Sequence, residues 1–446
     1  MMKTVAIATL GCKVNQFESE SLLADLEERG YQPVPFDEGA EIMIINTCTV
    51  THRADFQSRQ LVRRALRNHP DSLIIVTGCY SQVQPEAFTS MKGVKYLLGN
   101  KEKDQIPDLL PLMIKGGFPG VRISDIREVT LLSEKPLYSF HHHTRAFLKI
   151  QDGCDARCSY CIVPYARGPS RSLKPELVME RLNMLRERAF KEVVLTGIHI
   201  GSYGQDLHPP LSLEELLRTL EGGETPHRIR LTSIEPLEFS PGLISLLSQS
   251  RKICPHLHIP IQSGDDEILM KMNRNYDHSF LHDLIQKIHQ EIPKASIGAD
   301  VIVGFPGETE ERFQHTYQFI QSLPISYLHV FPYSMRKGTA AAQLPERVGD
   351  RESKRRAEVM RTLGKEKRQA FYSRFLHQEL DVLIEDRREK ETGRWMGLSR
   401  NYIPVVLLSG GRSGESRGLV NQECRVEVIE WTEKGVGGRV VRHGDG

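Results

Sequence analysis

The stretch FLKIQDGCDARCSYCIVPYARG, residues 147–168, decides how the rest of the chain is interpreted. Residues 147–150 form a short apolar stretch that predicts a buried strand running into a glycine turn. Cys154, Cys158 and Cys161 follow with the spacing C-x3-C-x2-C. Three thiolates on one loop can hold three irons of a cubic iron–sulfur cluster, which leaves the fourth iron open to a small molecule.

A structural zinc site is the main alternative interpretation of this loop. Structural zinc takes four ligands, usually from two separated Cys pairs, and no second pair stands near this loop. The histidines at 141–143 could supply a fourth ligand, but a His run in a polar stretch is more typical of solvated side chains. Three unconnected core thiols are a further alternative, which the polar character of the loop disfavours. The pattern therefore favours an open iron–sulfur cluster.

The loop resembles the signature of radical S-adenosylmethionine (radical SAM) enzymes, C-x3-C-x-aromatic-C, with Tyr160 as the aromatic residue. The resemblance implies that S-adenosyl-L-methionine (SAM) chelates the open iron through its amine and carboxylate. It also implies that electron transfer splits the C–S bond of SAM and leaves a 5′-deoxyadenosyl radical. The cysteine spacing by itself indicates only a cluster with one open iron.

The composition is that of an ordinary globular chain with two or three domains. The 446 residues are 39% hydrophobic and 26% charged, and no apolar run approaches the roughly 20 residues that span a bilayer. The first residues predict a strand leading into Gly11-Cys12, not an export signal. Eight cysteines are too few for a disulfide scaffold. We therefore expect a cytoplasmic protein with no membrane partner, whose thiols bind metal or do chemistry.

Charge is nearly balanced over the whole chain, with a net charge of +2. Two segments, 53–67 and 351–374, are rich in Lys and Arg and have helical character. Such runs indicate either solvated helix faces or contacts to nucleic acid.

Residues 1–117 predict an N-terminal parallel α/β sheet domain, because strands and helices alternate. The predicted elements are strands 4–9, 42–46, 73–77 and 94–98 and helices 17–29 and 54–68. Cys12, Cys48 and Cys79 each follow one of the first three strands. The carboxyl ends of parallel strands share one edge, so we expect the three thiols to converge. Three buried residues that happen to end strands are the alternative; the Gly or Thr beside each Cys favours a second three-Cys cluster.

Residues 118–143 predict a linker, and residues 144–375 predict a central partial TIM-like (β/α)6 barrel. The predicted strands are 147–150, 192–196, 228–232, 257–260, 296–303 and 327–331, with helices at 175–189, 213–220 and 280–290. Six units fall short of the eight that complete such a barrel. Polar loops follow the strands, at the face where these barrels build their sites. Gly197, in one of these loops, suits close backbone approach to a ligand.

Residues 376–446 predict a small antiparallel β-barrel of OB-like size. Candidate strands are 379–385, 405–408 and 424–431. Such barrels often bind oligonucleotides through Arg and aromatic residues on one face. Trp395, Arg400, Asn401 and Tyr402 are the candidates for that face.

The whole chain is similar to the methylthiotransferases, a family within the radical SAM enzymes. The N-terminal three-Cys domain, the central barrel and the C-terminal barrel occur in the same order, and GLSRNYIPV at 397–405 resembles the TRAM domain, with Ser399 where Thr is usual. GCKVN at 11–15 and NTCTVT at 46–51 resemble the branch that methylthiolates N6-threonylcarbamoyladenosine next to the tRNA anticodon. The isopentenyladenosine branch usually has Gly-Cys-Gln-Met-Asn, and the ribosomal-protein branch has Gly-Cys-Pro-Lys-Asn.

This resemblance implies two 4Fe-4S clusters and SAM as cofactors. It assigns the SAM cluster to Cys154, Cys158 and Cys161, and an auxiliary cluster that carries the transferred sulfur to Cys12, Cys48 and Cys79. It implies SAM contacts at Tyr160, Glu235, Gln262 and Asp300, to which the loop residue Gly197 is added. No catalytic residue beyond the cluster ligands is assigned.

One departure from the family pattern concerns SAM or substrate binding. The family commonly has Ser-Arg a few residues after Arg167-Gly168, where this chain has Ser172-Leu173. Arg171 or Lys174 could supply the missing charge, or a contact is absent.

The implied function is methylthiolation of C2 of N6-threonylcarbamoyladenosine in tRNA. The implied partners are tRNA, an electron donor such as flavodoxin or ferredoxin, and a sulfur donor. The alternatives are the same chemistry on isopentenyladenosine in tRNA or on a ribosomal protein, and a non-catalytic, metal-stabilised RNA-binding protein. Cys254 and Cys424 match no motif, so we expect them to be ordinary core or surface thiols.

Overall fold

The computed structural model describes residues 3–134, 144–408, 418–432 and 434–443. The histidine run at 141–143, predicted to be solvated, lies outside the described residues, as does the last part of the predicted linker. Among the described helices, none combines the length and the apolar character that a membrane span requires.

The N-terminal part of the chain forms a parallel sheet with helices on both faces. Its strands are β1 (Thr4–Thr9), β2 (Gln32–Pro33), β3 (Ile42–Thr47), β4 (Leu73–Gly78), β5 (Val94–Leu98) and β6 (Val121–Arg122). Its helices are α1 (Lys13–Glu28), α2 (His52–Asn68), α3 (Cys79–Val83), α4 (Glu86–Thr89), α5 (Asn100–Lys103) and α6 (Ile106–Ile114). All six strands are parallel, in the order β2-β1-β3-β4-β5-β6, which confirms the predicted sheet.

The buried strand β3 shows why the sheet needs helices on both faces. Successive side chains of a strand point to opposite faces. Ile42 and Ile44 join the core beneath α1 and α6, whereas Met43 and Ile45 join the core beneath α2. The strand is buried along its whole length, as expected for a parallel sheet covered on both sides.

The central part of the chain is an open barrel. Its strands are β7 (Arg145–Lys149), β8 (Gln151–Asp152), β9 (Arg171–Ser172), β10 (Glu192–Thr196), β11 (Arg228–Leu231), β12 (His256–Gln262), β13 (Ser296–Val303) and β14 (Tyr327–Pro332). Its helices are α7 (Val163–Arg167), α8 (Pro175–Glu187), α9 (Leu213–Gly222), α10 (Pro241–Gln249), α11 (Asp266–Lys271), α12 (His278–Glu291), α13 (Glu310–Ser322) and α14 (Asp350–Ser373).

Two three-stranded parallel sheets make up this barrel wall, β7-β10-β11 and β12-β13-β14. Parallel bridges from Ile229 to Ile253 and from Ser233 to His258 join them between β11 and β12. The result is the predicted six-stranded partial barrel. The short antiparallel pair β8–β9 brackets the cysteine loop at its two ends.

The C-terminal part is a closed five-stranded barrel. Its strands are β15 (Glu379–Arg388), β16 (Trp395–Ser399), β17 (Pro404–Leu407), β18 (Glu423–Thr432) and β19 (Gly435–His443). They follow the order β15-β16-β17-β19-β18. The pairing of β17 with β19 is parallel and the other four are antiparallel. The predicted small barrel is therefore present, with one parallel junction that the strand pattern does not reveal.

Two buried arginines on β11 dock the C-terminal barrel onto the beginning of the central strands. Arg228 donates to the carbonyl oxygen of Leu398 at 2.8 Å, and Arg230 donates to that of Arg400 at 2.9 Å. Both arginines also bind the carboxylate of Glu192, at 2.8 and 2.7 Å. Arg228 also pairs with Glu423 at 2.6 Å, so two carboxylates offset the two guanidinium charges inside the junction.

The four residues predicted for an RNA-binding face of the C-terminal barrel do not lie together on an exposed face. Trp395 belongs to the barrel core. Arg400 donates to backbone carbonyls of the central domain, and Asn401 donates to the carbonyl of Lys294. Tyr402 stacks on His256 with ring centroids 4.0 Å apart. The segment 397–405 is a docking element because its polar groups satisfy partners across the junction.

Candidate functional site

The first cysteine triad lies at the carboxyl edge of the N-terminal sheet. Cys12, Cys48 and Cys79 come directly after β1, β3 and β4, which are neighbours in the sheet. Glycines precede Cys12 and Cys79: Gly11 has φ +107° and Gly78 has φ +102°. A Cβ on Gly11 would lie 2.9 Å from the Cβ of Cys48, and one on Gly78 would lie 2.5 Å from backbone atoms of Thr47. The glycines therefore allow the close approach of these turns.

The second triad lies on the loop between β8 and α7. The backbone N–H of Cys154 donates to the carbonyl of Gly168 at 3.0 Å, and that of Cys161 donates to the carbonyl of Cys158 at 3.0 Å. Ser159 ties the loop to α11, since its hydroxyl donates to the carbonyl of Lys271 at 2.7 Å. The three thiols are therefore presented from one short loop that the barrel holds in place.

The distances between the sulfur atoms of each triad distinguish a site for an iron–sulfur cluster from a site for a single zinc ion. Within the described part of the chain, just one group of three His, Cys, Asp or Glu ligand atoms lies within 4.8 Å of one another, and it contains no cysteine. Thiolates about 2.3 Å from one tetrahedral zinc would be about 3.8 Å apart. Each triad is too wide for a single ion, and an iron–sulfur cluster separates its ligands further. Neither triad therefore matches a single zinc ion, whereas two sets of three cysteines are the ligand number of two clusters with one open iron each.

Burial makes the free thiols weak acids. It raises the pKa of Cys48 to about 12 and that of Cys161 to about 12. Because only thiolates bind iron, loading of these sites must release protons.

A cleft of about 220 Å³ brings together three of the five predicted SAM contacts, Tyr160, Gln262 and Asp300. Val50 and Thr51, directly after Cys48, line the same cleft, so the loops of both triads contribute to its walls. Gln262 has φ +69°, a left-handed conformation that costs a non-glycine residue energy and clusters at functional sites.

The fourth predicted contact, Glu235, belongs to an adjoining buried group. Arg274 forms a short hydrogen bond to Glu235 and donates to the hydroxyl of Tyr160 at 2.7 Å. Burial raises the pKa of Glu235, and Arg274 only partly offsets this. Arg274 was not predicted, since it lies in no recognisable motif.

The fifth predicted contact, Gly197, is explained by packing inside the protein. A Cβ there would lie 2.7 Å from Oε1 of Gln151, which accepts a hydrogen bond from the N–H of His199 at 2.8 Å. His199 reaches both Cys154, with 3.5 Å between Nδ1 and Sγ, and Glu238, at 2.6 Å. The loop after β10 therefore contributes His199, which the sequence analysis missed, beside the second triad.

Leu173 does not occupy a ligand-binding position in this structure. Its side chain is buried in the main core, and its carbonyl accepts from the hydroxyl of Tyr203 at 2.6 Å. Arg171 is buried and donates to the carbonyls of Arg167 and Pro169. Lys174 is exposed and pairs with Glu134 at 3.0 Å. Both cations suggested as replacements are thus engaged elsewhere in the protein.

Asp300 is held by histidines from the two neighbouring strands. His258 Nε2 lies 2.8 Å and His329 Nδ1 lies 3.3 Å from Asp300 Oδ1. These hydrogen bonds lower the pKa of Asp300, although burial opposes them. The hydroxyl of Tyr327 bridges His258, at 3.1 Å, to His256, at 2.7 Å. Asp300, His258 and His329 thus bind one another in a chain of side chains, and within this group only Nδ1 of His256 is buried without a partner among the described residues.

Comparison with known proteins agrees with this geometry. Residues 4–99 match the uncharacterized protein family UPF0004, and residues 148–320 match the radical SAM superfamily. The chain is 39% identical over 91% of its length, and 90% of the relative's, to the threonylcarbamoyladenosine tRNA methylthiotransferase MtaB of Bacillus subtilis. It is 37% identical over 90% of its length, and 98% of the relative's, to the MtaB of Aquifex aeolicus.

The chain belongs to the radical SAM methylthiotransferase family.

Methylthiotransferases carry two 4Fe-4S clusters and use SAM, and the two thiol sets fit that cofactor content. The predicted identity as a radical SAM enzyme is confirmed, and the non-catalytic alternative is set aside. A second methylthiotransferase branch is also similar: the chain is 33% identical over 91% of its length, and 92% of the relative's, to the tRNA-2-methylthio-N(6)-dimethylallyladenosine synthase of Pelotomaculum thermopropionicum.

A solved structure shares the fold of this methylthiotransferase. The radical S-adenosylmethionine methyltransferase TsrM from Kitasatospora setae aligns with a TM-score of 0.56 at 15% identity, over 74% of this chain and 75% of that one. At this identity the likeness concerns the fold alone.

Proposed function

We propose that the enzyme adds a methylthio group to C2 of N6-threonylcarbamoyladenosine next to the anticodon in tRNA. The observation that carries the proposal is the sequence identity of 35–39% over at least 90% of the chain to four relatives named for this reaction. The sequence GCKVN at 11–15, rather than GCQMN, supports this branch over the dimethylallyladenosine branch.

We assign the second triad, Cys154, Cys158 and Cys161, to the SAM cluster, and the first triad to the auxiliary cluster. When bound, the SAM cluster supplies the electron that generates the radical, and the auxiliary cluster supplies the sulfur. The part of the chain itself is orientation and the exclusion of water. The cleft between the two loops is lined mainly by Ile302, Phe331, Pro332 and other apolar or aromatic groups, which suits a purine base and a short-lived radical.

Tyr160, Glu235, Gln262 and Asp300 are the proposed contacts to SAM. Tyr160, Gln262 and Asp300 line one cleft, and Glu235 is joined to Tyr160 through Arg274. Gly197 shapes the adjoining loop by accommodating Gln151. The Asp300 side chain is 22% exposed, and its hydrogen bonds to the two histidines lower its pKa despite burial, so the carboxylate can accept hydrogen bonds from a ribose diol.

We further propose that the enzyme works in the cytoplasm, where tRNA, a low-potential electron donor such as flavodoxin or ferredoxin, and a sulfur donor are present. The similarity to tRNA-modifying relatives supports the first partner. The need of a radical SAM centre for one electron per SAM cleaved supports the second.

Nucleoside mass spectrometry of tRNA from a strain that lacks this gene tests the proposal. We expect N6-threonylcarbamoyladenosine to persist while its 2-methylthio derivative disappears, and we expect the plasmid-borne gene to restore it. Loss of 2-methylthio-isopentenyladenosine instead would assign the enzyme to the other tRNA branch. Unchanged tRNA together with a loss of methylthiolation on a ribosomal protein would exclude a tRNA substrate.

A further inference from the structure

Arg167 connects the two cysteine triads directly. It is the last residue of α7, six positions after Cys161, and its side chain is almost completely buried. Its Nε–H donates to the sulfur of Cys79 at 3.2 Å. A residue of the SAM-cluster loop therefore contacts a cysteine of the first triad.

The remaining donors of Arg167 are fixed by acceptors in both parts of the protein. Its Nη2 donates to Glu18 at 3.1 Å and forms a short hydrogen bond to Asn15, both on α1. Its Nη1 donates to Asp152 at 3.2 Å and to Glu18 at 2.5 Å. With the bond to Cys79, every N–H group of the guanidinium lies near an acceptor. These hydrogen bonds hold the planar guanidinium in one orientation.

Positive charge is in excess in the buried group around Arg167. Glu18 pairs with Lys103 and Lys149 as well as with Arg167, and Asp152 pairs with Lys149, Arg167 and Arg171. With Asp104, which interacts with Lys149, this group sets four cations against three carboxylates. Unbalanced buried charge is costly, and an anionic thiolate at Cys79 would reduce the excess.

A cation and an N–H donor beside a cluster thiolate favour the more negative, reduced state of that cluster. Hydrogen bonds to the sulfurs and the local charge are among the factors that set iron–sulfur potentials. We propose that Arg167 is a positioning residue that raises the reduction potential of the auxiliary cluster while it ties that cluster to the SAM-cluster loop. The inference rests on the assignment of Cys79 as an auxiliary-cluster ligand.

The test isolates the auxiliary cluster. In a protein carrying C154A, C158A and C161A, only the first triad can hold a cluster, and its midpoint potential is measured by an anaerobic redox titration monitored by electron paramagnetic resonance. Adding Arg167→Lys keeps the charge but removes the Nε–H and the fork, and we expect a shift to more negative potential with unchanged iron. The matched control is Arg171→Lys, a buried arginine of the same group that donates to carbonyls instead of sulfur; its potential should equal that of the parent.

Asp152→Asn provides a second, opposite readout. It removes a carboxylate that lies 3.2 Å from Arg167, so the net positive charge beside Cys79 increases and the potential should rise. If Arg167→Lys does not retain the cluster, the midpoint potential of the Asp152→Asn variant serves as the test. Parent potentials in both variants would overturn the role of Arg167. Absence of iron from the triple-alanine parent would show instead that the assignment of the first triad, and with it the basis of the inference, is wrong.

Discussion

Cys158 and Cys254 are both buried or half-buried thiols, but they have different surroundings. Cys158 is on the loop with Cys154 and Cys161. Cys254 is fully buried, and the charged groups that influence its pKa are Arg230, Glu192, Arg228 and Arg400, not another cysteine. A thiol by itself therefore does not indicate a ligand; three thiols grouped on one loop, or at the ends of neighbouring strands, do.

Cys158→Ala should abolish SAM cleavage, because two thiolates hold the SAM cluster poorly. Formation of 5′-deoxyadenosine under reducing, anaerobic conditions measures this. Cys254→Ala is the control with the same chemical change outside both triads, and it should keep both the iron content and the cleavage activity. Undiminished 5′-deoxyadenosine in the Cys158 variant would refute the cluster assignment.

Cys79→Ala should separate the two clusters. The second triad keeps its ligands, so SAM is still cleaved, but the sulfur source is lost and tRNA remains unthiolated. Iron per chain should fall to about half that of the parent. Iron analysis together with chromatography of 5′-deoxyadenosine and of tRNA nucleosides checks all three results. Full iron with continued thiolation would mean that the N-terminal triad holds no cluster.

The six proposed ligands were predictable at the residue scale because cysteine spacing and position after strands are visible in the sequence. The roles of Arg167 and Arg274 were not predictable, although Arg167 lies within the stretch 147–168. The importance of each depends on acceptors 15 to 152 positions away in the chain, and nothing local distinguishes these arginines from surface arginines. At Ser172-Leu173, the departure from the family pattern was visible in the sequence, but the burial of the Leu173 side chain in the core was not.

At the scale of single elements, α2 begins next to the cleft and carries exposed arginines towards its other end. Thr51 caps its N-terminus by accepting from the N–H of Ala54 at 3.1 Å, and His52 donates from its backbone to Ser334 at 2.9 Å. Arg63 and Arg67 are exposed and have no ion-pair partner among the described residues. These two arginines are available to phosphates, whereas Arg355 and Arg356 of α14 are engaged by Glu308, Glu310 and Glu352.

The double variant R63E/R67E should bind tRNA more weakly, and the logarithmic slope of affinity against salt should flatten by about two if each arginine neutralises one phosphate. Filter binding or fluorescence anisotropy at several salt concentrations measures this. R186E/R218E makes the same charge change on α8 and α9 of the barrel exterior and should leave the slope unchanged. Equal behaviour of the two double variants would place tRNA elsewhere.

Element prediction succeeded for strands filled with apolar residues and failed for two-residue strands and for two strands of the C-terminal barrel. β1, β5, β10 and β13 begin and end where the sequence predicts, because apolar residues fill them between clear turn signals. β2 and β6 have two residues each and exist only because a neighbouring strand offers hydrogen-bond partners. β16 and β19 were missed because both contain glycine, which is unfavourable in strands: Gly397 in β16, and three glycines in β19. Closure of the barrel makes them strands.

At the scale of the whole molecule, the C-terminal barrel is not an independent appendage. Deleting it would leave Arg228 and Arg230 without the acceptors at Leu398, Ser399 and Arg400. The simple expectation that the barrel binds RNA while the centre does chemistry must therefore allow for a shared junction. Truncation would disturb both.

Arg230→Met should lower the free energy of unfolding by about 3–5 kcal/mol, the usual cost of removing one partner of a buried ion pair. Arg425→Met also removes an arginine with two carboxylate neighbours, but that arginine is 55% exposed, so the loss should stay below about 1 kcal/mol. Urea unfolding of the two variants compares them. Similar midpoints for both would show that the junction contributes little.

The docking arginines have a consequence for how this protein can diverge. They hold the barrel through carbonyl oxygens of the main chain, and a carbonyl is the same chemical group whichever amino acid carries it. Side chains along 398–400 can therefore drift without weakening those bonds, provided that the chain keeps its path. A barrel grafted from a remote relative should therefore keep the bonds to Arg228 and Arg230. The rest of the junction depends on the barrel side chains at Arg400, Asn401 and Tyr402, so exchange of the barrel as a unit requires that these three positions stay compatible.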